Sequence, residues 1–507
     1  MKFSSLRNKL FFNFIIVCSA ILFFQITLNA QTKSLKKISS GLNSLYNFQF
    51  DSADKDFQDF INLNPEHPAG YYFKSLKKLW FYLDNKNEKY LNEFIDYTDT
   101  SLYKAELYLQ KDSVDVFSYY ILGLVYFQRA VAHTRSEEYL SSLWSTKMFQ
   151  YYFNRIISID STYFDAYMCL GLYNFAVSQA PRSWKWALDL TGIEGDKKVG
   201  LEYLKLASKK GRYSNVDAQF YLSQLYSEFF LNFKESEKYL KSLVNAYPKN
   251  LLFKYSLGNL QTKKYELKSA EKNFNTVTQS KDSVFIQLKN YSTLALGDLF
   301  FIRNNFDSAK TFYHSFLDSP VDHHLKGITA LRLGLCYLFE RDSASALAYF
   351  EKTDEGNLDL DEDVYAKLRG QQYVDEFPDS LQLELIKFKN ILDSGKFKNA
   401  IDSLENLNKI VTSDSLRAEL MLHISEAYYR SGKFKQSFEY AVGLLNFEHC
   451  ETWVKAFACY YAARASMAVN NFEDAKLFVD YASNYNNFFF ENKLTDRLNA
   501  LLYELNN

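Results

Sequence analysis

The chain has 507 residues, with 59 Lys and Arg against 60 Asp and Glu and a formal charge of −1. That balance excludes a protein that neutralises long runs of nucleic-acid phosphate, which needs a cationic surplus. Only 6 Pro and 17 Gly occur beside 45 Phe and 39 Tyr, so sheets and tight turns are disfavoured and mostly helix, packed through rings, is expected.

Residues 1–30 read as a signal peptide. Lys2, Arg7 and Lys9 give a cationic start, residues 10–27 are mostly apolar, and Leu28-Asn29-Ala30 puts a small residue before Gln31. A retained membrane anchor is the competing fate. Lipidation at Cys18 is a third, for which Val17 is a poor neighbour because lipoprotein signals carry a small residue there. Of the later cysteines, Cys450 and Cys459 are nine apart, on the order of 13 Å along a helix and beyond disulfide reach. Cys169 and Cys336 fall on apolar faces and are expected as buried thiols.

Residues 31–113 hold one repeat and degenerate helices. Gly41 is followed by Ala53 and Phe57, and Asn64-Pro65 stops the second helix. Helices are expected over 71–83 and 90–97, then a short separate one over 101–109. Residues 114–357 form a central array. Gly123 and Tyr126 open it, a polar connection through His133 to Glu138 leads to a helix over 144–159, and Ala166, Tyr167 and Gly171 begin the next unit. An insertion at 178–196 interrupts that unit before Gly200, Leu204 and Ala207 resume it. Helices over 215–230 and 235–246 follow, closed by Tyr247-Pro248.

Three complete copies of one pattern then appear between Leu251 and Phe350: Gly258, Ala270, Phe274; Gly297, Ala309, Tyr313; Gly334, Ala346, Phe350. In each, alanine follows glycine by 12 residues and the aromatic follows alanine by 4. A polar break separates two stretches of helical periodicity, so each copy is a pair of antiparallel helices. This is the tetratricopeptide arrangement. Each glycine is expected to face a small residue across the pair, with the aromatic closing the seam below. The acidic stretch Asp359, Asp361, Glu362, Asp363 reads as the first turn of a helix reaching Tyr373, inside a hinge region at 358–379. A C-terminal array at 380–507 carries Ala400 with Leu404, Ser425 with Ser437, and Ala463 with Ala475, ending in a capping helix over 493–505. The fold class is all-α: a tetratricopeptide solenoid of about nine to eleven repeats, several degenerate, with one insertion.

The run Gly171-Leu172-Tyr173-Asn174-Phe175, then Pro181, Trp186-Ala187-Leu188, Thr191-Gly192-Ile193-Glu194-Gly195-Asp196-Lys197 and Gly200-Leu201 with Leu204 resembles the inclusion-body-clearance family of tetratricopeptide proteins and its bacterial relatives, over roughly 164–350. The resemblance implies a helical adaptor associated with membranes or lipid stores, and supplies no catalytic residue. The N-terminal signal departs from those cytosolic relatives.

Seven histidines are scattered at 67, 133, 314, 323, 324, 423 and 449. His323 and His324 point about 100° apart on a helix, so with Asp318 and Asp322 they make a poor metal site. No C-x-x-C, H-E-x-x-H, phosphate loop or nucleophile elbow occurs, and no enzyme, metal or cofactor is expected. The working surface expected of this fold is the groove lined by first helices. There the repeat register places Phe117, Tyr120 and Phe127; Tyr255 and Asn259; Tyr291, Asp298 and Phe301; and Leu331, Leu335 and Leu338. Of the lysines and asparagines that clamp a terminal carboxylate in chaperone-binding relatives, only Asn259 has a counterpart, which argues against such a clamp. Aromatic side chains in the groove point to an extended or helical segment of a protein partner; burial against neighbouring repeats is the competing account. Trp184 and Trp186 flank Lys185 near Arg182 in the insertion, suited either to packing over the groove or to a membrane interface. The expectation is an exported scaffold that binds a protein partner in the periplasm or cell envelope. A membrane-associated lipid-handling adaptor and an outer-surface glycan-binding helical protein are the alternatives.

Overall fold

The computed structural model describes residues 35–179, 195–281, 284–319 and 324–505. These contain 24 α-helices and no strand. They fall into two compact units, one of residues up to 222 with 242–250, the other of 223–241 with 251 onward.

Unit one contains α1 (35–46), α2 (Phe50–Leu63), α3 (Pro68–Asn85), α4 (Glu88–Lys111), α5 (Val116–Arg135), α6 (Tyr139–Ile159), α7 (Ala166–Ser178) and α8 (Lys197–Lys210). Helices α9 (Asn215–Glu228) and α10 (Phe233–Ala246) contribute to both units. Unit two continues with α11 (Leu251–Lys263), α12 (Leu267–Thr278), α13 (Ile286–Ile302), α14 (Phe306–Leu317), α15 (Lys326–Phe339) and α16 (Ser343–Phe350). After a short 3-10 turn come α17 (Asp361–Asp375), α18 (Ser380–Asp393), α19 (Phe397–Ile410), α20 (Asp414–Arg430), α21 (Phe434–Leu444), α22 (Thr452–Ala468), α23 (Phe472–Ser483) and α24 (Glu491–Leu505). Within each unit consecutive helices pack as hairpins, and among the described residues no helix is long and apolar enough to cross a membrane.

One turn geometry recurs between paired helices. A residue in the left-handed region is followed by the residue that starts the second helix: Asn304 (φ 57°) before Asn305, Arg341 (φ 68°) before Asp342, Asn470 (φ 60°) before Asn471. The second residue caps its helix, as when the Asp342 carboxylate accepts from the Ser345 amide at 3.1 Å. At Gly432 (φ 78°) glycine takes the left-handed position without a Cβ penalty.

The glycine seam differs from its expected form. A Cβ built on Gly258 would lie 2.7 Å from the Phe274 ring, one on Gly297 2.7 Å from Tyr313, and one on Gly334 2.5 Å from Phe350. The glycine therefore receives the ring itself, with the Ala346 carbonyl also 3.2 Å from the added Cβ at Gly334. Ala and the aromatic four residues later share a helix face, so the ring reaches the glycine while alanine admits the close approach. Two other boundaries also move. The helices expected over 90–97 and 101–109 are one helix, α4, because no Pro or Gly interrupts them; within it Thr98 and Thr100 donate to the carbonyls of Ile95 and Asp96, each at 3.0 Å. The helix expected from 144 begins at Tyr139.

The residues that flank the insertion hold two backbones together. A Cβ on Gly171 would lie 2.9 Å from the Gly200 carbonyl, and one on Gly200 2.8 Å from the Gly171 carbonyl. Asp196 caps α8, accepting from Lys198 and Val199 at 2.7 and 3.0 Å. Cys169, Cys336 and Cys459 are buried free thiols.

Candidate functional site

Along the first helices of its hairpins each unit carries its own stripe of side chains, and the two units differ in its chemistry. Unit one fills it with rings. Tyr120 on α5 lies 5.3 Å from Tyr163 and 6.3 Å from Tyr213, whose ring also meets Phe73 at 6.0 Å and Phe117 at 5.9 Å. The buried Asp165 carboxylate holds the loop bearing Tyr213, accepting from the amides of Tyr213 and Ser214 at 2.7 and 2.9 Å. Beside these rings the Tyr46 hydroxyl donates to Asp217. Burial raises the Asp217 carboxyl to about 6, and the Tyr46 bond pulls it back.

Unit two fills its stripe with charge. Asp298 on α13 pairs with Arg332 on α15 at 2.8 Å and accepts from the Tyr313 hydroxyl at 2.8 Å. Arg369 on α17 grips Glu451 through two contacts of 2.8 and 3.1 Å, its guanidinium over the Tyr365 ring. Lys389 on α18 bonds Asp393 and lies 3.8 Å from Glu426. Helix α20 presents Glu419, His423, Glu426 and Arg430 at steps of 4, 3 and 4, which align on one helix face. The His423 ring nitrogens lie 3.9 Å from Glu419 and 3.9 Å from Glu426. Arg464 on α22 bonds the Tyr429 hydroxyl and Glu504, each at 2.9 Å. On α24, Lys493 lies 3.8 Å from Glu362 and Arg497 sits over the rings of Phe457 and Tyr460.

Burial works against charge on Glu426, His423 and Lys493, and their neighbours override it selectively. Burial pushes Glu426 up, yet Lys389, His423 and Arg430 hold it well below the usual carboxylate range. Burial pushes His423 down, and Glu419 and Glu426 together raise it above its ordinary value. Lys493 moves the other way: burial lowers it and the cations Arg497, Lys389 and Arg332 add to that, against Glu362. Side-chain exposure in the network ranges from 11% at His423 and 14% at Glu426 to 49% at Lys493. Half-enclosed ion pairs of this kind cost nearly as much in desolvation as they return in attraction. Stability alone therefore does not account for so many in one face. A cleft of about 430 Å³ adjoins it, with Val364, Leu368, Trp453, Phe488 and Phe489 as apolar wall and Glu451 at its edge.

The aromatic positions read from the repeat register distribute unevenly. Tyr120, Phe127 and Phe301 are buried at 1%, 9% and 8% exposure and leave no open ring face. Phe127 packs edge-on to Phe149, and Phe301 packs against Phe306 and Tyr313. Leu331 and Leu335 are core, while Phe117 and Leu338 are half-buried. Tyr255, Asn259 and Tyr291 are half-buried, with Tyr255 against Phe274 and Tyr291 against Phe316. Asp298 joins the charged stripe. Trp184, Trp186 and His323 lie outside the described residues. Sequence reasoning missed Lys389, Glu419, His423, Glu426, Arg430, Arg464, Lys493 and Arg497; the signal was the polar row at 419, 423, 426 and 430 on one face of α20. Among the described residues no group of His, Cys, Asp and Glu is placed to hold a metal ion.

A second surface is apolar. Tyr139, Leu140, Trp144 and Tyr151 on α6 are 62%, 85%, 54% and 59% exposed.

A family model, Iml2/Tetratricopeptide repeat protein 39, matches residues 162–320. No curated protein matches the chain. Among solved structures, a tetratricopeptide repeat protein from Parabacteroides merdae is 16% identical, with 57% of this chain and 99% of that one covered and a TM-score of 0.26. Human IFIT1, solved as a dimer with PPP-AAAA, is 13% identical over 80% of this chain and 81% of that one, TM-score 0.33. Yeast Tom70 is 10% identical over 94% and 97%, TM-score 0.28. The chain is a tetratricopeptide repeat protein that resembles the Iml2 family between 162 and 320.

Proposed function

We propose that this chain is an exported, non-catalytic scaffold whose charged unit-two stripe holds a segment of a protein partner in the cell envelope. Tetratricopeptide repeats are suited to protein–protein interaction, and the observation that favours this face is its half-enclosed network running from Asp298 to Arg497. Ion pairs there are close to neutral for stability and gain value when a complementary segment excludes the remaining water. Export is read from the cationic start, apolar run and Ala30. Crosslinking and capture from intact envelopes tests the face. The double variant Arg332→Gln and Lys493→Gln, at open ends of the network, is expected to lose partner capture while keeping the wild-type melting temperature. Equal capture by variant and wild type would remove the face from consideration.

A second reading, a membrane-associated adaptor, is favoured by the exposed α6 rings, since Trp and Tyr with Leu suit a bilayer interface. Co-sedimentation with anionic vesicles tests it: Leu140→Ser with Trp144→Ser should abolish binding. Vesicle binding unchanged in that variant, or absent in the wild type, sinks it.

A further inference from the structure

Three pairs of residues, each four apart, line a pocket of about 390 Å³ between α5 and α6 in unit one: Arg129 and His133 on α5, then Leu140 with Trp144 and Ser141 with Ser145 on α6. Residues four apart share a helix face, so the pocket has a cationic row, a row of hydroxyls and an apolar wall. Ser145 is 2% exposed and its hydroxyl makes no hydrogen bond among the described residues, which leaves a buried polar group turned into the pocket. Arg129 uses Nε and one terminal nitrogen on Thr98, Ile95 and Asp99 of α4, and its other terminal nitrogen is unbonded. His133 meets Glu138 through Nδ1 at 2.9 Å, and a ring that donates there presents Nε2 as an acceptor. Trp144 is 54% exposed and braced by Tyr126, whose ring lies 5.3 Å away and stacks on Tyr152 at 5.7 Å.

An anion finds no unpaired cation here, since Arg129 faces Asp99 and His133 faces Glu138. A purely apolar ligand would strip water from the Ser145 hydroxyl and the Arg129 donor without replacing it, at a cost of about 1 to 3 kcal/mol for each group left unsatisfied. The pocket therefore suits a neutral group with one apolar side and a rim that both donates and accepts. A pyranose ring has that form, with a C–H face that fits the electron-rich face of an indole and hydroxyls that each donate and accept. The volume also falls within the range of small-molecule sites. We propose that Arg129, His133, Ser141, Trp144 and Ser145 form a binding site for a neutral pyranose. The C–H face of the sugar packs on Trp144 beside Leu140, and its hydroxyls meet Arg129, His133 and the two serines. The site lies on unit one and does not depend on the charged stripe of unit two.

The probes are the methyl glycosides of glucose, galactose, mannose and N-acetylglucosamine, titrated against the full chain by saturation-transfer NMR. At least one should receive saturation on its ring C–H protons. Trp144→Ala should weaken that glycoside about tenfold through lost stacking, and Ser145→Ala about three- to tenfold through one lost hydrogen bond. Because the Ser145 hydroxyl has no partner to lose, Ser145→Ala should melt as wild type does. That separates a binding role from a structural one even if Trp144→Ala loosens α6. Transfer to none of the glycosides, affinity unchanged in Ser145→Ala, a fall in its melting temperature, or displacement by inorganic phosphate would each overturn the site. Phosphatidylcholine vesicles carrying the same sugar on diacylglycerol distinguish the sources: a free glycan binds equally well in both forms, and a lipid headgroup binds more tightly on the vesicle. Binding to sugar-free anionic vesicles without binding to any glycoside overturns the site and leaves the bilayer reading of α6 standing.

Discussion

The Tyr46 hydroxyl donates to Asp217 Oδ2 at 2.5 Å, across 171 residues of sequence. Two further bonds fasten the same end of α1, from Asn250 Nδ2 to the Tyr46 carbonyl at 2.7 Å and from the Lys249 amide to Asn47 Oδ1 at 3.0 Å. The first hairpin of unit one is thereby tied to the last residues of that unit. Since burial raises the Asp217 carboxyl from 3.8 to about 6, the folded state favours its protonated form. The stabilisation is complete below about 3.8 and is lost as pH rises through about 6. Asp217→Asn keeps an acceptor for Tyr46 and removes the ionisation cost, so it should stabilise unit one at pH 7.5 by about 1 to 3 kcal/mol. The gain should shrink toward pH 4.5. Thermal unfolding followed by circular dichroism across that range checks it, and a pH-independent gain would contradict the assignment.

The ring-on-glycine seam makes an unusually sharp demand on one atom. Gly297→Ala places a methyl 2.7 Å from the Tyr313 ring, and the helices must part at a cost of about 1 to 3 kcal/mol. Gly443 is the control, since its added Cβ meets only the flexible end of Met421 at 3.2 Å. Chemical denaturation of both variants should show a loss for Gly297→Ala and little change or a gain for Gly443→Ala. A loss of equal size in both would mean that helix propensity, not the seam, is being read.

His423 should titrate late. Its folded value is raised by Glu419 and Glu426 against burial and Lys389, so its stabilisation is complete below the unfolded value near 6.5 and disappears as pH climbs through the folded one. His423→Gln should flatten the pH dependence of stability above neutrality. An NMR titration of the His423 ring that turns over at or below 6.5 would contradict the raised value.

Phe301 and the two half-buried tyrosines should separate under truncation. Phe301→Ala empties a core position, with an expected loss of about 3 to 5 kcal/mol. Tyr255→Ala and Tyr291→Ala, at half-buried positions, should cost less and reduce partner capture more. Melting temperature and envelope capture measured on the same three proteins decide the matter; the opposite ranking would return the rings to a purely structural role.

The repeats were legible because Gly258, Gly297 and Gly334 and their rings lie within single hairpins, where fixed spacing is the packing itself. The continuity of α4 was not, since that stretch lacks the small residues that mark the repeat and so offers no register to read across Thr98 and Thr100. The charged stripe was least legible. Arg369 reaches Glu451 across 82 residues and Lys389 reaches Glu426 from another helix, so no local pattern joins them. The aromatic bias also drew attention to ring positions, and the same stripe in unit two proved to be carried by arginine, lysine and glutamate.

Two hairpins close their seams with serine in place of glycine. Ser425 Oγ donates to the Ser437 carbonyl at 2.8 Å, and Ser236 Oγ donates to the Ser223 carbonyl at 2.7 Å. Where the Gly258, Gly297 and Gly334 hairpins place a ring, these have Ala441 and Leu240. The two kinds are mutually exclusive within a pair: a serine-bearing helix set against a ring-bearing one would press a hydroxyl into the ring, and a glycine-bearing helix set against Ala441 would leave a void. Single helices are therefore not exchangeable between hairpins of different kinds, whereas whole hairpins are. A chain built this way lengthens or shortens by the hairpin, each insertion bringing both halves of its own lock, and recombination inside a hairpin is the event it tolerates least.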